Sequence, residues 1–200
     1  MVDPDSIGRK TDEELAREAR AGSRWSFEEL ALRYKHRLFV YFRPRLGSDQ
    51  DAEDLVQETF LKLYRNIHHY DAAHKFSTWL YTSAHRLAIS SYRKKRTAAG
   101  RVNPEVADHA GDPAVRASGD TRSTVLWDAA GTLGGSQYRV LWLRYGEDLA
   151  IEEIASSIGK SRLAVRLLLH RARTNLMKRV GPAPGRAVAK TVAVGETPPG

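Results

Sequence analysis

No cysteine occurs among the 200 residues. That absence excludes a disulfide framework, a thiolate metal site and any cysteine-based zinc finger, and it fits a reducing compartment. Long apolar runs are missing as well. Nothing approaches the roughly 20 apolar residues needed to cross a bilayer, and the first thirty residues hold no apolar core of signal-peptide length. The expected location is the cytoplasm. Strand-type alternation is nearly absent. So are a phosphate-binding glycine loop, a nucleophile paired with a base, and histidine–carboxylate metal spacing. Neither a catalytic residue, a cofactor, a metal nor a small-molecule substrate is therefore expected.

Carboxylates are missing over two long stretches. Between Ala72 and Pro104 there is none, while Lys75, Arg86, Arg93, Lys94, Lys95, Arg96 and Arg101 fall there. From Ile154 to Gly195 there is again none, against Lys160, Arg162, Arg166, Arg171, Arg173, Lys178, Arg179, Arg186 and Lys190. The net charge of +8 is thus concentrated in two blocks. Two cationic surfaces fit two contacts with phosphate backbone, since each Lys or Arg that neutralises a phosphate releases condensed counterions. The plainer alternative is a solvated charged face.

What is present is helical periodicity. Thr11 with Glu14 forms a capping-box pattern that starts a first helix. Phe27, Leu30, Ala31, Tyr34, Leu38 and Tyr41 line one side of a second, over 26–42, which Pro44 and Gly47 close before a turn at 47–50. From 97 to 122 the composition turns to Ala, Gly, Pro, Asp and Asn, with Asn103-Pro104 and Gly111-Asp112-Pro113 as breakers. The expectation is an all-α chain of two small helical domains, 1–96 and 123–180, joined by a flexible linker. Residues 181–200, rich in Gly and Pro, read as a disordered tail.

The clearest stripe runs through Ala52, Leu55, Val56, Thr59, Phe60, Leu63 and Ile67. On the opposite face stand Asp54, Gln57, Glu58 and Leu61, at i, i+3, i+4 and i+7. Such a face fits docking to a basic partner, or simple solvation. A metal site built from Asp51, Asp54 and Glu58 ranks lower, because an exposed helix offers no enclosing cavity. Farther on, 151–158 forms a short helix, Gly159 a turn, and Ser161 caps a second helix reaching about Arg179. Ala155, Gly159 and Val165 have helix-turn-helix spacing, with Val165, Leu169 and Ala172 anchoring the second helix. In that docking geometry Ser161, Arg162, Leu163, Arg166, Leu167 and His170 face the major groove, and Arg171, Arg173 and Lys178 lie nearer phosphates. Leu168 has a place in the core. Leu167 does not, which leaves it to a thymine methyl or a partner protein.

The string Asp-Ala-Glu-Asp-Leu-Val-Gln-Glu-Thr-Phe-Leu-Lys-Leu-Tyr, 51–64, resembles the second region of extracytoplasmic-function sigma factors. The likeness continues through Phe76, Trp79-Leu80-Tyr81, Ala84, Leu87-Ala88-Ile89 and Arg93 to Arg96. His170-Arg171-Ala172-Arg173, joined to the helix-turn-helix, is similar to the family's fourth region. This resemblance implies that Asp54, Gln57, Glu58 and Leu61 dock on core RNA polymerase. It implies that the loop 66–76 captures a flipped base of melted minus-ten DNA, with His68, His69, Tyr70, His74 and Lys75 available and Arg93, Lys94, Lys95 and Arg96 on phosphates. Ser161, Arg162, Arg166, Leu167, His170, Arg171 and Arg173 would read the minus-thirty-five duplex. An anti-sigma factor is an expected partner. The chain departs from the family at Arg86, Ser90, Gly134, Ala164, Leu167 and Leu168. The competing readings are a stand-alone helix-turn-helix regulator, with the acidic face as a dimer or effector surface, and a metal nuclease.

Overall fold

The computed structural model describes residues 10–46, 48–98 and 122–180, with side chains described except at 92–98 and 122–124. Among the described residues every regular element is helical. Helix α1 (Asp12–Arg20) opens on the expected capping box: Thr11 Oγ1 accepts Glu14 N at 3.2 Å, and the Glu14 carboxylate accepts Thr11 N at 2.7 Å. Helix α2 (Arg24–Phe42) starts ahead of Ser26, because Ser23 Oγ already caps Ser26 N at 3.2 Å. Pro44 then sits in the opening residues of a 3-10 turn, Arg43–Arg45, where its missing N–H is not needed.

Helix α3 (Asp49–Arg65) also starts early. Ser48 Oγ accepts Asp51 N at 3.1 Å, so Asp49 and Gln50, expected in a turn, form its first turn. A serine cap followed by acids at the positive end of the macrodipole outweighs the local turn preference. A 3-10 turn, Ile67–His69, leads to α4 (Phe76–Ala98), which runs past the expected break at Thr97. After the interval 99–121, outside the described residues, come α5 (Arg122–Gly131), α6 (Gly135–Leu141), a π turn (Trp142–Gly146), α7 (Ile151–Ile158) and α8 (Arg162–Val180). The tail 181–200 also lies outside the described residues.

Leu15 and Ala16 of α1, Leu30 and Leu38 of α2, Ala52, Leu55 and Val56 of α3, and Phe76, Leu80 and Ala84 of α4 are buried together. Thr59 interrupts this apolar stripe at no cost in unsatisfied polarity, since its hydroxyl donates to Leu55 O at 2.6 Å. Asp12 ties α1 to α2, accepting from Arg33 at 2.8 Å and from the Tyr34 hydroxyl at 2.6 Å.

The two halves share one core. Tyr41 of α2 meets Tyr138 of α6 and Trp142 of the π turn, each at 5.3 Å between ring centroids, and Tyr81 of α4 meets Trp142 at 5.9 Å. Around these rings lies a polar ring of contacts. The Tyr138 hydroxyl donates to Tyr41 O at 2.8 Å, Arg139 to Thr82 Oγ1 at 2.8 Å, and Arg37 to the Glu147 carboxylate at 2.7 Å. Gly131 lies hard against Pro44: a Cβ there would fall 2.4 Å from both the Cβ and the carbonyl oxygen of Pro44. The two helical domains expected on either side of the linker are both there, packed face to face.

Candidate nucleic-acid interface

The acidic face of α3 is open. Asp54, Gln57, Glu58 and Leu61 are all exposed, opposite the buried Leu55, Val56, Thr59 and Leu63. Leu61 is 57% exposed and has Tyr64 one turn on, 49% exposed, its ring edge-on to Phe27 at 5.0 Å. Tyr64 extends the apolar centre of this ridge and was missed from sequence, although its i+3 spacing from Leu61 was the available signal. Asp51, Asp54 and Glu58 belong to no group of three or more metal-ligating side chains, and none occurs among the described residues.

The loop between α3 and α4 is held at its base. Phe76 N donates to Glu13 Oε1 at 3.1 Å, and Arg20 to Tyr70 O at 3.2 Å, so α1 fixes the segment at its middle and at its far end. Neither Glu13 nor Arg20 was legible as a loop anchor, because both contacts span more than fifty positions of sequence or equal it. His68 and His69 are exposed, with their rings 4.0 Å apart. Tyr70 is not presented at the loop surface. Its ring is buried against Phe76 and Trp79, and its hydroxyl donates to His74 O at 2.7 Å, making it a strut beneath the loop. Trp79 packs partly buried against the core, as its apolar neighbours imply. Arg93, Lys94, Lys95 and Arg96 continue along α4, but their side chains lie outside the described residues.

His74 and Lys75 are exposed at the end of the loop yet engaged by the other half. Lys75 Nζ pairs with Glu153 of α7 at 3.0 Å, and His74 Nε2 lies 3.3 Å from Ser156 Oγ. The first helix of the helix-turn-helix thus touches the loop. Gly159 turns the chain at φ +65°, a left-handed value that glycine adopts without strain. Ser161 Oγ accepts Ala164 N at 3.2 Å and starts α8. Val165, Leu169 and Ala172 are buried, Leu168 packs partly against the core, and Ser161, Arg162, Leu163, Arg166, Leu167, His170, Arg171 and Arg173 face outward.

A histidine is trapped where the halves meet. His85 of α4, near the Tyr41 hydroxyl, has its pKa pushed down to about 3 by burial and by the Arg139 and Arg45 cations. A depressed histidine binds fewer protons folded than unfolded. Its contribution is intact above its ordinary pKa and is lost as pH falls towards 3. By pH 5 the loss is about 2 kcal/mol. NMR titration should find the His85 ring neutral at pH 5. Titration at the ordinary histidine value would mean that this contact is not closed in solution.

Comparison with known proteins bears on both halves. Residues 30–98 match Sigma-70 region 2, and residues 130–178 match Sigma-70, region 4. The RNA polymerase sigma factor YlaC of Bacillus subtilis is 31% identical over 157 residues, 76% of this chain and 91% of that protein. The ECF RNA polymerase sigma factor SigW of the same organism is 36% identical over 80 residues, 40% of this chain and 43% of that protein's length. The backbone resembles the sigma factor RpoE of Bartonella quintana, solved in complex with the anti-sigma factor NepR, at TM-score 0.62 and 19% identity over 77% of this chain and 96% of that one. No helix among the described residues is long and apolar enough to cross a membrane. With region 2 and region 4 in one chain, in that order, likeness to YlaC over 91% of that protein and likeness to the ECF sigma factor SigW, the chain belongs to the extracytoplasmic-function sigma factors of the sigma-70 family.

Proposed function

We propose that this chain is an initiation subunit of RNA polymerase, docking on core polymerase through the α3 ridge and on promoter DNA through both halves. The ridge of Asp54, Gln57, Glu58 and Leu61 is the surface for the polymerase. His68, His69, His74 and Lys75, with Arg93, Lys94, Lys95 and Arg96 beyond them, serve the melted minus-ten strand. Tyr70 acts beneath that loop as its support. The outward face of α8, from Ser161 and Arg162 through Arg166 and Leu167 to His170, Arg171 and Arg173, enters the minus-thirty-five major groove. Catalysis belongs to the polymerase, and the chain works in the cytoplasm. Residues 1–96 and 123–180 act as the two functional units.

The observation that carries this reading is the coexistence in one chain of an exposed acidic ridge and a separate helix-turn-helix with a cationic outer face. A stand-alone regulator has no need of both. The contacts of Lys75 with Glu153 and of His74 with Ser156 place α7 on the loop that serves the minus-ten strand, so the halves must separate before both DNA elements can be held. Polymerase would supply that separation by fixing each half at its own site, which gives avidity only within the holoenzyme. RpoE is bound by an anti-sigma factor, and a partner of that kind acting on the ridge or on the closed form fits this chain too.

The test is in vitro transcription with core polymerase on a promoter library, with and without the chain. New start sites that depend on the chain are expected. A palindromic footprint without polymerase, and no new transcripts with it, would sink the proposal in favour of a stand-alone regulator.

A further inference from the structure

Leu163 and Leu167 stand one turn apart on α8, 66% and 49% exposed, in the middle of its outward face. The buried face of this helix is already supplied by Val165, Leu169 and Ala172, and neither leucine belongs to the core or packs against it. Single exposed leucines need no explanation, but two at i and i+4 form a small apolar ridge. Its surroundings choose its occupant. Arg162, which pairs with Glu152 at 3.6 Å across an exposed contact, and Arg166 flank it, Arg171 and Arg173 follow, all exposed, and no carboxylate occurs between Ile154 and Gly195. An apolar protein partner would cover those arginines without neutralising them. A polyanion neutralises them and must then offer the leucines something apolar.

In duplex DNA one major-groove group does so: the thymine 5-methyl, the sole apolar substituent among the base edges. Leucine has no donor or acceptor and can distinguish bases there only through that methyl. Both residues lie in the first turns of α8, just after the Ser161 cap, the part of a recognition helix that meets base edges. Four residues of helix advance roughly 6 Å, close to the roughly 7 Å of two base-pair steps.

We propose that Leu163 and Leu167 make the minus-thirty-five element of this sigma factor dependent on thymine 5-methyl groups about two base steps apart, beside a base or phosphate held by Arg166. This rests on the promoter-binding reading above and specifies the chemistry of one of its surfaces.

Replacing thymine by deoxyuridine removes the methyl and leaves every hydrogen-bonding group in place. Holoenzyme assembled from core polymerase and the full chain should be assayed on promoters carrying this exchange at each thymine of the minus-thirty-five element in turn. One or two positions should lose binding three- to tenfold. In Leu167→Ala the loss at one of these positions should disappear, and in Leu163→Ala the loss at the other. Arg166→Ala should weaken binding while keeping the sensitivity, and Leu167→Met, which preserves an apolar contact, should keep most of it. Unchanged wild-type binding at every exchanged position, in a holoenzyme that transcribes, would overturn this inference alone. Sensitivity that persists in both alanine variants would overturn it too. Failure to form any active holoenzyme would overturn the promoter-binding reading and this inference with it.

Discussion

Leu61→Asp and Asp54→Lys will each lower promoter-specific transcription by more than tenfold without moving the thermal unfolding midpoint. Leu61 is 57% exposed, and Asp54 is exposed too, its only described hydrogen bond the one it accepts from Gln50 at 3.2 Å. Substitutions at such positions change folding stability by about 0.5 kcal/mol or less. At a docking interface the accounting differs. Hot spots cluster at the centre of an interface, the place Leu61 holds on this ridge, and charge insertion at one costs about 2 kcal/mol or more, roughly thirtyfold in affinity. Labelled chain titrated with core polymerase should show that loss directly, and raising the polymerase concentration should recover transcription. Unchanged affinity in both variants would remove α3 as the docking surface, whatever the family.

Glu147→Lys should open the molecule. The Glu147 side chain is only 2% exposed, pairs with Arg37 at 2.7 Å and accepts from Trp142 Nε1 at 3.2 Å. Burial raises its pKa, against the pull of the Tyr81 hydroxyl and Arg37. A lysine there would set a buried cation beside Arg37, whose own side chain is 45% exposed, so the repulsion falls on the Glu147 side of the contact. The radius of gyration in solution scattering should rise, and polymerase-free binding to a single-stranded minus-ten oligonucleotide should improve about tenfold, the equivalent of about 1.4 kcal/mol. His74 and Lys75 are then released from Ser156 and Glu153.

Arg37→Glu combined with Glu147→Lys restores the pair with its signs exchanged and should restore compaction, separating an open chain from a misfolded one. Gly131→Val attacks the same contact sterically, since a side chain there meets Pro44 backbone that has no rotamer to change. A compact Glu147→Lys chain whose DNA binding is no better than before would mean that closure does not limit access to the loop.

The contact between the halves is suited to such opening. Arg139 donates across it to Thr82 and, within its own half, to Ser157 O, yet its Nε is buried with no hydrogen-bond partner among the described residues. An unsatisfied buried donor costs about 1–3 kcal/mol. The aromatic packing of Tyr41, Tyr138 and Trp142 favours closure, and this cost opposes it. An interface with both terms can hold without being permanent.

The capping box at Thr11 and Glu14, the α3 stripe, the left-handed Gly159 and the anchors Val165, Leu169 and Ala172 were all legible before any coordinates. Each depends on interactions within a few residues or on a 3.6-residue period, and linear order is enough for those. Helix starts at Arg24 and Asp49 were misjudged by two residues because the caps Ser23 and Ser48 were passed over in favour of the apolar pattern. Tyr70 shows a different limit. The family resemblance made it a candidate side chain for the pocket of a flipped base, while the fold turned its ring inward onto Phe76 and Trp79.

By itself, then, the amino-acid order determined the helical class, the acidic ridge, the helix-turn-helix and the identity of the cations on its outer face, since periodicity decides which side of a helix is buried. Tertiary structure alone decided that Tyr41 meets Tyr138, that Glu147 meets Arg37, and that Glu153 and Ser156 reach the loop at His74 and Lys75. A helix pattern states that a face will be covered and is silent about what covers it. Partners about a hundred positions apart are selected by shape and charge in three dimensions, and nothing local records the choice.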